Sequence, residues 1–304
     1  MNAIGGYFGL EPEGKKQAGE YYPDLIALNT GRNALVYLVR ARGIRKIWLP
    51  RLCCDTVTEV LDREGVDYEF YEIDSSFRPV FSRKLSECEY LYVINYYGQL
   101  TDFDCPGNCI LDNVQAFFQK PKPGTDTIYS CRKMFGVPDG AYLSSDCGRM
   151  ELRQDCSSGR MRHLYGRANG SAEEYYDDFQ KNDESFRTLG LMSMSDITRK
   201  ILSVIDYDEV IHRRNRNFSL LHSLLGSENR LNIHQPEGAF AYPFYCENGI
   251  AVRKNLAKKR IYVPTLWPNC ISDDYAANIL PLPCDQRYGE KEMLYLTEEL
   301  RNSI

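Results

Sequence analysis

Lys133 lies in the segment Asp126-Thr-Ile-Tyr-Ser-Cys-Arg-Lys-Met-Phe-Gly-Val-Pro-Asp-Gly-Ala141, where an apolar run ends near Ser130 and a turn with Gly136, Pro138 and Gly140 follows. A lysine at the mouth of a sheet is placed to form an imine with a carbonyl compound, provided its amine is partly desolvated. The plainer alternative is a solvated loop lysine. Upstream, Ile110-Leu-Asp-Asn-Val-Gln-Ala-Phe-Phe118 puts an acid directly after an apolar run. Such an acid sits at the carboxyl end of a strand, where open α/β sheets place ligands. A carboxylate there holds a pyridine nitrogen protonated and makes the ring an electron sink, and Gln115 is placed to donate to a phenolic oxygen on that ring. Asp112 would equally serve to cap the following helix. The third feature is Leu28-Asn-Thr-Gly-Arg-Asn-Ala-Leu35, a small polar turn opening an amphipathic helix. Free N–H groups and the helix dipole make such a start a phosphate site, with Gly31 permitting close approach and Arg32 adding charge. An ordinary N-cap at Asn29 or Thr30 explains the same residues.

These side chains need a frame that brings separate strand ends together. Gly31 to Arg42 reads as a helix with Ala34, Leu35, Leu38 and Val39 on one face, and Asp55 to Arg63 as another, stopped by Gly65. Strands are expected at 46–50, 68–73, 90–95, 109–112, 127–130 and 141–144, several as continuous apolar runs suited to burial on both faces. Alternation of the two element types predicts an α/β fold with a mostly parallel sheet flanked by helices. Residues 146–185 are charged, rich in Ser, Gly and Asp, and read as a long surface excursion. A helical stretch from Ser195 to Leu225 follows, interrupted at Asp206-Tyr-Asp-Glu209. The end mixes strands at 239–245 and 260–263 with helices at 249–258 and 290–301. Residues 1–200 are thus expected to form a large α/β domain and 201–304 a small α+β one.

Phosphate turn, then acid, then lysine is the order in which the aspartate-aminotransferase fold assembles a pyridoxal-phosphate (PLP) site. Ser130-Cys-Arg-Lys-Met-Phe-Gly136 resembles the S-x-x-K-x-F-G stretch of aspartate aminotransferases, which implies that Ser130 helps hold the phosphate. More widely, the chain resembles the sugar-nucleotide aminotransferases of the DegT/DnrJ/StrS type. Val93-Ile-Asn-Tyr-Tyr-Gly-Gln99 is similar to their V-H-L-Y-G-Q segment, and Leu111-Asp-Asn-Val-Gln-Ala116 to their E-D-x-A-Q-A motif. Lys133 followed by Asp139-Gly140 resembles K-N…E-G-G, and Met194-Ser-Asp196 with Arg213-Arg214 resembles R-M-S-E…R-R. Arg260-Ile-Tyr-Val-Pro-Thr-Leu-Trp267 and Ile279-Leu-Pro-Leu-Pro283 match the style of the C-terminal Y-P-x-L-H and L-P-L segments. The likeness runs from about Leu28 to the end.

The resemblance implies a type I PLP-enzyme fold with a seven-stranded sheet, and a homodimer with sites at the interface. It implies that Lys133 carries the cofactor and shuttles a proton, while Asp112 and Gln115 tune the ring. Thr30, Gly31, Arg32 and Ser130 would hold the phosphate. The reaction implied moves an amino group from an amino-acid donor to a keto-sugar, nucleotide-linked, for polysaccharide or glycosylated-metabolite synthesis. Three positions depart from the family pattern. The aromatic residue over the ring is replaced near Cys53 or Cys54, so Cys54 would stand at the cofactor instead. The asparagine lent by the partner subunit is replaced near Leu191, and the last glycine of E-G-G is Ala141. Two alternatives stay open: another PLP-dependent reaction on the same scaffold, and a dimeric homologue without turnover.

Composition excludes several other classes. A net charge of −5 and pI near 5.6 give no electrostatic basis for binding nucleic acid. No apolar run approaches a membrane span, and the start of the chain lacks the pattern of a secretory signal. The 11 cysteines include no C-x-x-C pair and the 4 histidines sit far from them, so neither a metal site nor a disulfide framework is expected. Most thiols are expected to be small core residues in a reducing cytoplasm.

Overall fold

A computed structural model describes residues 3–10, 19–105, 107–270 and 272–304. β1 (Ile4–Gly5) and β2 (Ile26–Leu28) precede α1 (Gly31–Arg42), β3 (Lys46–Pro50), α2 (Asp55–Glu64) and β4 (Asp67–Ile73). β5 (Pro79–Val80), β6 (Glu89–Ile94), β7 (Cys109–Asp112), β8 (Asp126–Ser130) and β9 (Ala141–Ser144) complete the first half. Then come α3 (Arg162–Asn169), α4 (Tyr176–Ser185), α5 (Asp196–Ser203) and α6 (Tyr207–Leu225). β10 (Tyr242–Tyr245), α7 (Gly249–Lys258), β11 (Ile261–Tyr262), α8 (Asp274–Asn278), β12 (Ile279–Leu282) and α9 (Glu290–Arg301) follow.

The local causes are those the residues announce. Thr30 caps α1 by accepting from the Asn33 N–H, and Gly43 closes it in the left-handed region. Gly65 ends α2 in the same way. Leu35 and Leu38 of α1 are buried against the sheet. All four residues of β7 are buried, as in a strand covered on both faces.

The central sheet has eight strands in the order β2-β9-β8-β7-β6-β3-β4-β5. Pairing is parallel through β8-β7-β6-β3-β4 and antiparallel for β2-β9, β9-β8 and β4-β5. The mostly parallel α/β fold is therefore as expected, but eight strands replace seven. β5 is a two-residue edge pairing, too short to leave an alternation in the sequence. A second core gathers Phe218, Leu221, Phe244, Leu256, Leu282 and Leu296, and Ile4 joins it because β1 pairs in parallel with β11.

The 146–185 excursion needs correction. It forms a short turn at 158–160 followed by α3 and α4, and it buries His163, Leu164, Ala172 and Asn182. Its anchors come from far away in the chain: Tyr7 stacks on Phe179 at 5.0 Å and 11°, and Arg260 pairs with Glu173 at 3.1 Å. A periodicity search cannot see such partners. Cys105 and Cys109 are joined by a disulfide, their Cα atoms 5.7 Å apart, a pairing the spacing had not suggested. The other cysteines are free. No helix among the described residues is long and apolar enough to cross a membrane.

The turn after Lys133 is fixed from outside. Asp139, fully buried, accepts from the Ser195 N–H at 3.0 Å and the Ser195 hydroxyl at 2.8 Å, and also from the Thr198 hydroxyl. Gly140 sits at φ 115°, and an added Cβ would lie 3.0 Å from Thr198 Cγ2 and 3.2 Å from Cys131 Cβ. Gly140→Ala should therefore lower stability by about 1–3 kcal/mol in denaturant unfolding. Gly148→Ala, which meets open space, should change it by less than about 0.5 kcal/mol.

Candidate active site

β7 and β8 run side by side and in parallel, with Asp112 paired opposite Ile128, so their carboxyl ends open on one side of the sheet. Asp112 is buried there. Its Oδ1 accepts from the Val114 N–H at 2.9 Å and its Oδ2 from the Tyr92 hydroxyl at 2.7 Å. Burial pushes the Asp112 carboxyl above the ordinary carboxylate range, while Lys133, Tyr92 and the Val114 N–H pull it partly back. The lysine and the acid singled out from the sequence thus share one electrostatic environment. Tyr92 was not foreseen. It lies on β6, two residues before Ile94, the register partner of Asp112, and so reaches the acid diagonally. The sequence signal was a hydroxyl-tipped ring inside the apolar run Glu89-Tyr-Leu-Tyr-Val-Ile94.

Lys133 opens on a cavity of about 700 Å³, with Tyr7, Phe179, Phe240, Arg253 and Tyr262 among its lining. The Lys133 side chain is exposed in this cavity, where the sequence reading asked for partial desolvation. The backbone that carries it is held firmly. Arg214, fully buried, donates to the Met134 carbonyl at 3.1 Å and to Ala239 O at 2.8 Å, and Gln286 donates to the same Met134 carbonyl at 2.9 Å. Arg214 of α6 and Gln286, just after β12, therefore set the peptide next to Lys133.

The start of α1 lies over the same strand ends. A Cβ on Gly31 would meet Ile128 Cγ2 at 3.7 Å and Val114 Cγ1 at 3.8 Å, ordinary contacts, so nothing in the chain itself requires glycine there. Thr30 spends its hydroxyl oxygen on the Asn33 N–H at 3.1 Å. Ser130 ends β8 half-buried, its backbone paired with Ala141. Arg32 differs from expectation. Its guanidinium is engaged by Asp183, at 3.3 Å to the carboxylate and 3.3 Å to the carbonyl, and Arg132 reaches the other carboxylate oxygen at 3.0 Å. Burial lifts the Asp183 carboxyl, but Arg132 and then Arg32 more than cancel this and leave it below its usual value. Arg132 adjoins Lys133 and was readable as a cation, whereas Asp183 comes from the excursion and had no local signal.

Two further sequence assignments change in detail. Gln115 uses its amide oxygen to accept from the Tyr97 N–H at 2.9 Å, so the donor end of the group is its nitrogen. Cys54 occupies the N-cap position of α2, its thiol 3.4 Å from Asp55 Oδ1 and accepting from the Thr56 hydroxyl at 3.2 Å. Cys53 is the more deeply buried of the pair, and its thiol is pushed up by burial, with Cys54 and Asp112 adding to the effect. The loop is pinned by Asn269, which donates to Cys53 O at 3.0 Å. Leu191 follows Gly190, whose carbonyl accepts from Asn33 at 2.8 Å and Asn29 at 3.3 Å, so this segment lies beside the α1 start within one chain.

Solved structures share this architecture. A DegT/DnrJ/EryC1/StrS aminotransferase from Brucella abortus superposes with a TM-score of 0.59 at 13% identity, over 91% of this chain and 85% of that one. The sugar aminotransferase CalS13 from Micromonospora echinospora gives a TM-score of 0.61 at 13% identity, over 92% and 87%. The fold is that of the sugar aminotransferases. NtdA from Bacillus subtilis, solved with its bound cofactor PMP, gives 0.59 at 10% identity over 92% of this chain and 73% of that one. At these identities the likeness is one of fold. No protein-family model and no curated protein sequence matches the chain.

On this aminotransferase-type frame the buried acid carries a stability cost. Because the folded Asp112 carboxyl titrates above its unfolded value, folding takes up a proton that the unfolded chain has released. Its contribution is fully favourable below the ordinary carboxylate range and is lost as pH rises through the raised value. Asp112→Asn should therefore raise the melting temperature of the cofactor-free protein at pH 7. Thermal unfolding across pH 4–8 should show the gain shrinking as pH falls, and a gain independent of pH would remove the charge as its cause.

Proposed function

We propose that the chain is a PLP-dependent aminotransferase that passes an amino group from an amino-acid donor to a keto-sugar, nucleotide-linked and used in the cytoplasm for polysaccharide or glycosylated-metabolite synthesis. The observation that carries the reading is the buried Asp112 carboxylate coupled to Lys133 at adjoining strand ends of an aminotransferase-type fold. The donor set suits the cofactor. A buried acid held above its ordinary titration range favours a cationic partner, which a protonated pyridine nitrogen provides. The Gln115 nitrogen suits a phenolate oxygen. The N–H groups opening α1, with Thr30, Gly31 and Ser130, suit a phosphate, and at Gly31 the requirement for glycine would come from that ligand.

When bound, the cofactor supplies an aldehyde that accepts the donor's nitrogen and a ring that spreads the charge left by a departing proton. Every other part belongs to the chain. Lys133 Nζ would hold the cofactor covalently and, once displaced by the donor's nitrogen, would as a free amine move the proton from the donor's Cα to the former aldehyde carbon, the same transfer in reverse serving the acceptor. Asp112 would keep a proton on the ring nitrogen, and Tyr92 and the Val114 N–H hold its two oxygens in place. Arg214 and Gln286 position Lys133 through the Met134 carbonyl. Cys54 borders the cofactor where relatives by resemblance carry a stacking ring. The working unit is a homodimer, which sedimentation velocity checks.

Purified protein given PLP should show a visible band that borohydride fixes and that Lys133→Ala abolishes. A colourless protein indifferent to PLP overturns the reading. Asp112→Ala should keep some cofactor but lose transamination by roughly 10²–10³-fold. Unchanged turnover would remove Asp112 from the mechanism.

A further inference from the structure

Arg32 stands in the first turn of α1 and Arg132 between Ser130 and Lys133, yet both guanidinium groups converge on one carboxylate from the excursion. Arg32 Nη2 lies 3.3 Å from Asp183 Oδ2 and Arg132 Nη1 lies 3.0 Å from Asp183 Oδ1. The arginine side chains are 17% and 18% exposed, whereas Asp183 is 44% exposed. Arg132 also lies over the Phe186 ring at 4.6 Å, and Asn182 donates to Pro138 O at 2.9 Å. The last turn of α4 is thereby moored to both turns that the proposed function assigns to the phosphate.

Three physical points bear on what this arrangement does. Guanidinium forks recognise carboxylate and phosphate oxygens by the same geometry, so the two anions compete for one place. A single carboxylate balances one of the two positive charges, whereas a phosphate monoester carries about −1.5 to −2 at neutral pH and balances both. Asp183 also sits in the C-terminal turn of α4, which has no basic residue, where the helix dipole disfavours a negative charge. The arginines hold it there against that field, and its exposure gives it a route to water.

We propose that Arg32 and Arg132 form a two-guanidinium clamp for a phosphate monoester, and that Asp183 is its internal occupant, exchanged when the phosphate arrives. The placement of the phosphate rests on the PLP reading; the clamp and its occupant do not follow from that reading. The exchange has a consequence at a distance. α4 also carries Tyr176 and Phe179 into the wall of the Lys133 cavity, so release of Asp183 loosens one mooring of the helix that forms that wall. Loading of a phosphorylated ligand would then alter the cavity in which the second substrate is received.

The experiment measures binding of PLP, pyridoxal and inorganic phosphate to the full chain at constant ionic strength. Asp183→Asn should tighten PLP and inorganic phosphate by roughly tenfold and leave pyridoxal, which has no phosphate, unchanged. Arg132→Gln should weaken PLP by roughly tenfold with pyridoxal again unchanged. In the unaltered protein, inorganic phosphate should speed amide hydrogen exchange across α4. If Asp183→Asn weakens PLP as Arg132→Gln does, or leaves it unchanged, Asp183 is not a competitor and the proposal fails. Phosphate that binds without speeding exchange in α4 overturns it as well. Failure of pyridoxal and PLP to be fixed onto Lys133 by borohydride would instead defeat the functional reading, while the phosphate titration would still decide the clamp.

Discussion

A carboxylate taken out of water at the end of a parallel strand must be answered by something, and at Asp112 the answer is shared. Two hydrogen bonds hold its oxygens, from Tyr92 and the Val114 N–H, and Lys133 opposes the effect of burial. Together they leave the acid above its ordinary range, so the site retains an unmet preference for positive charge. The rest of the fold can be understood from that demand. The parallel pairing of β6, β7 and β8 brings the phenol and the acid together and ends on the turn of the lysine.

Rigidity around the lysine comes from parts of the chain distant in sequence. Asp139 binds the turn to the cap of α5, and Arg214 and Gln286 tie Met134 to α6 and to the turn after β12. The links through Asp139 and Arg214 place a buried charge on backbone or hydroxyl partners, where loss of one member would strand the other away from water, and the half-buried Gln286 carboxamide supports them. The exposed Lys133 side chain is therefore carried on a constrained backbone. A side chain of this kind gains orientation from its support while keeping its own freedom.

The excursion shows how a chain can use a weakly patterned segment. Its helices bury few residues of their own, yet the segment settles because Tyr7, Arg260, Arg32 and Arg132 reach it from four separate regions. Ionic contacts of this type are modest where exposed and stronger where partly desolvated, as at the Arg132 guanidinium, whose pKa burial draws down. The arrangement places a carboxylate on two cations beside the strand ends, and aromatic rings on the cavity that Lys133 lines.

The sequence by itself determined the periodic elements and the order of the chemical groups. α1 and α2 with their glycine stops, the buried strands β6 to β9, and the positions of Asp112 and Lys133 were legible because they depend on neighbours within a few residues. The tertiary structure alone decided what those groups face. That Tyr92 reaches Asp112, that Asp183 takes up Arg32, that Gln115 turns its oxygen to Tyr97, and that β1 joins the C-terminal core all depend on partners between 18 and 257 residues away. Local propensity carries no record of such pairings, since they are set by strand register, by burial and by the competition of charges for the same partner.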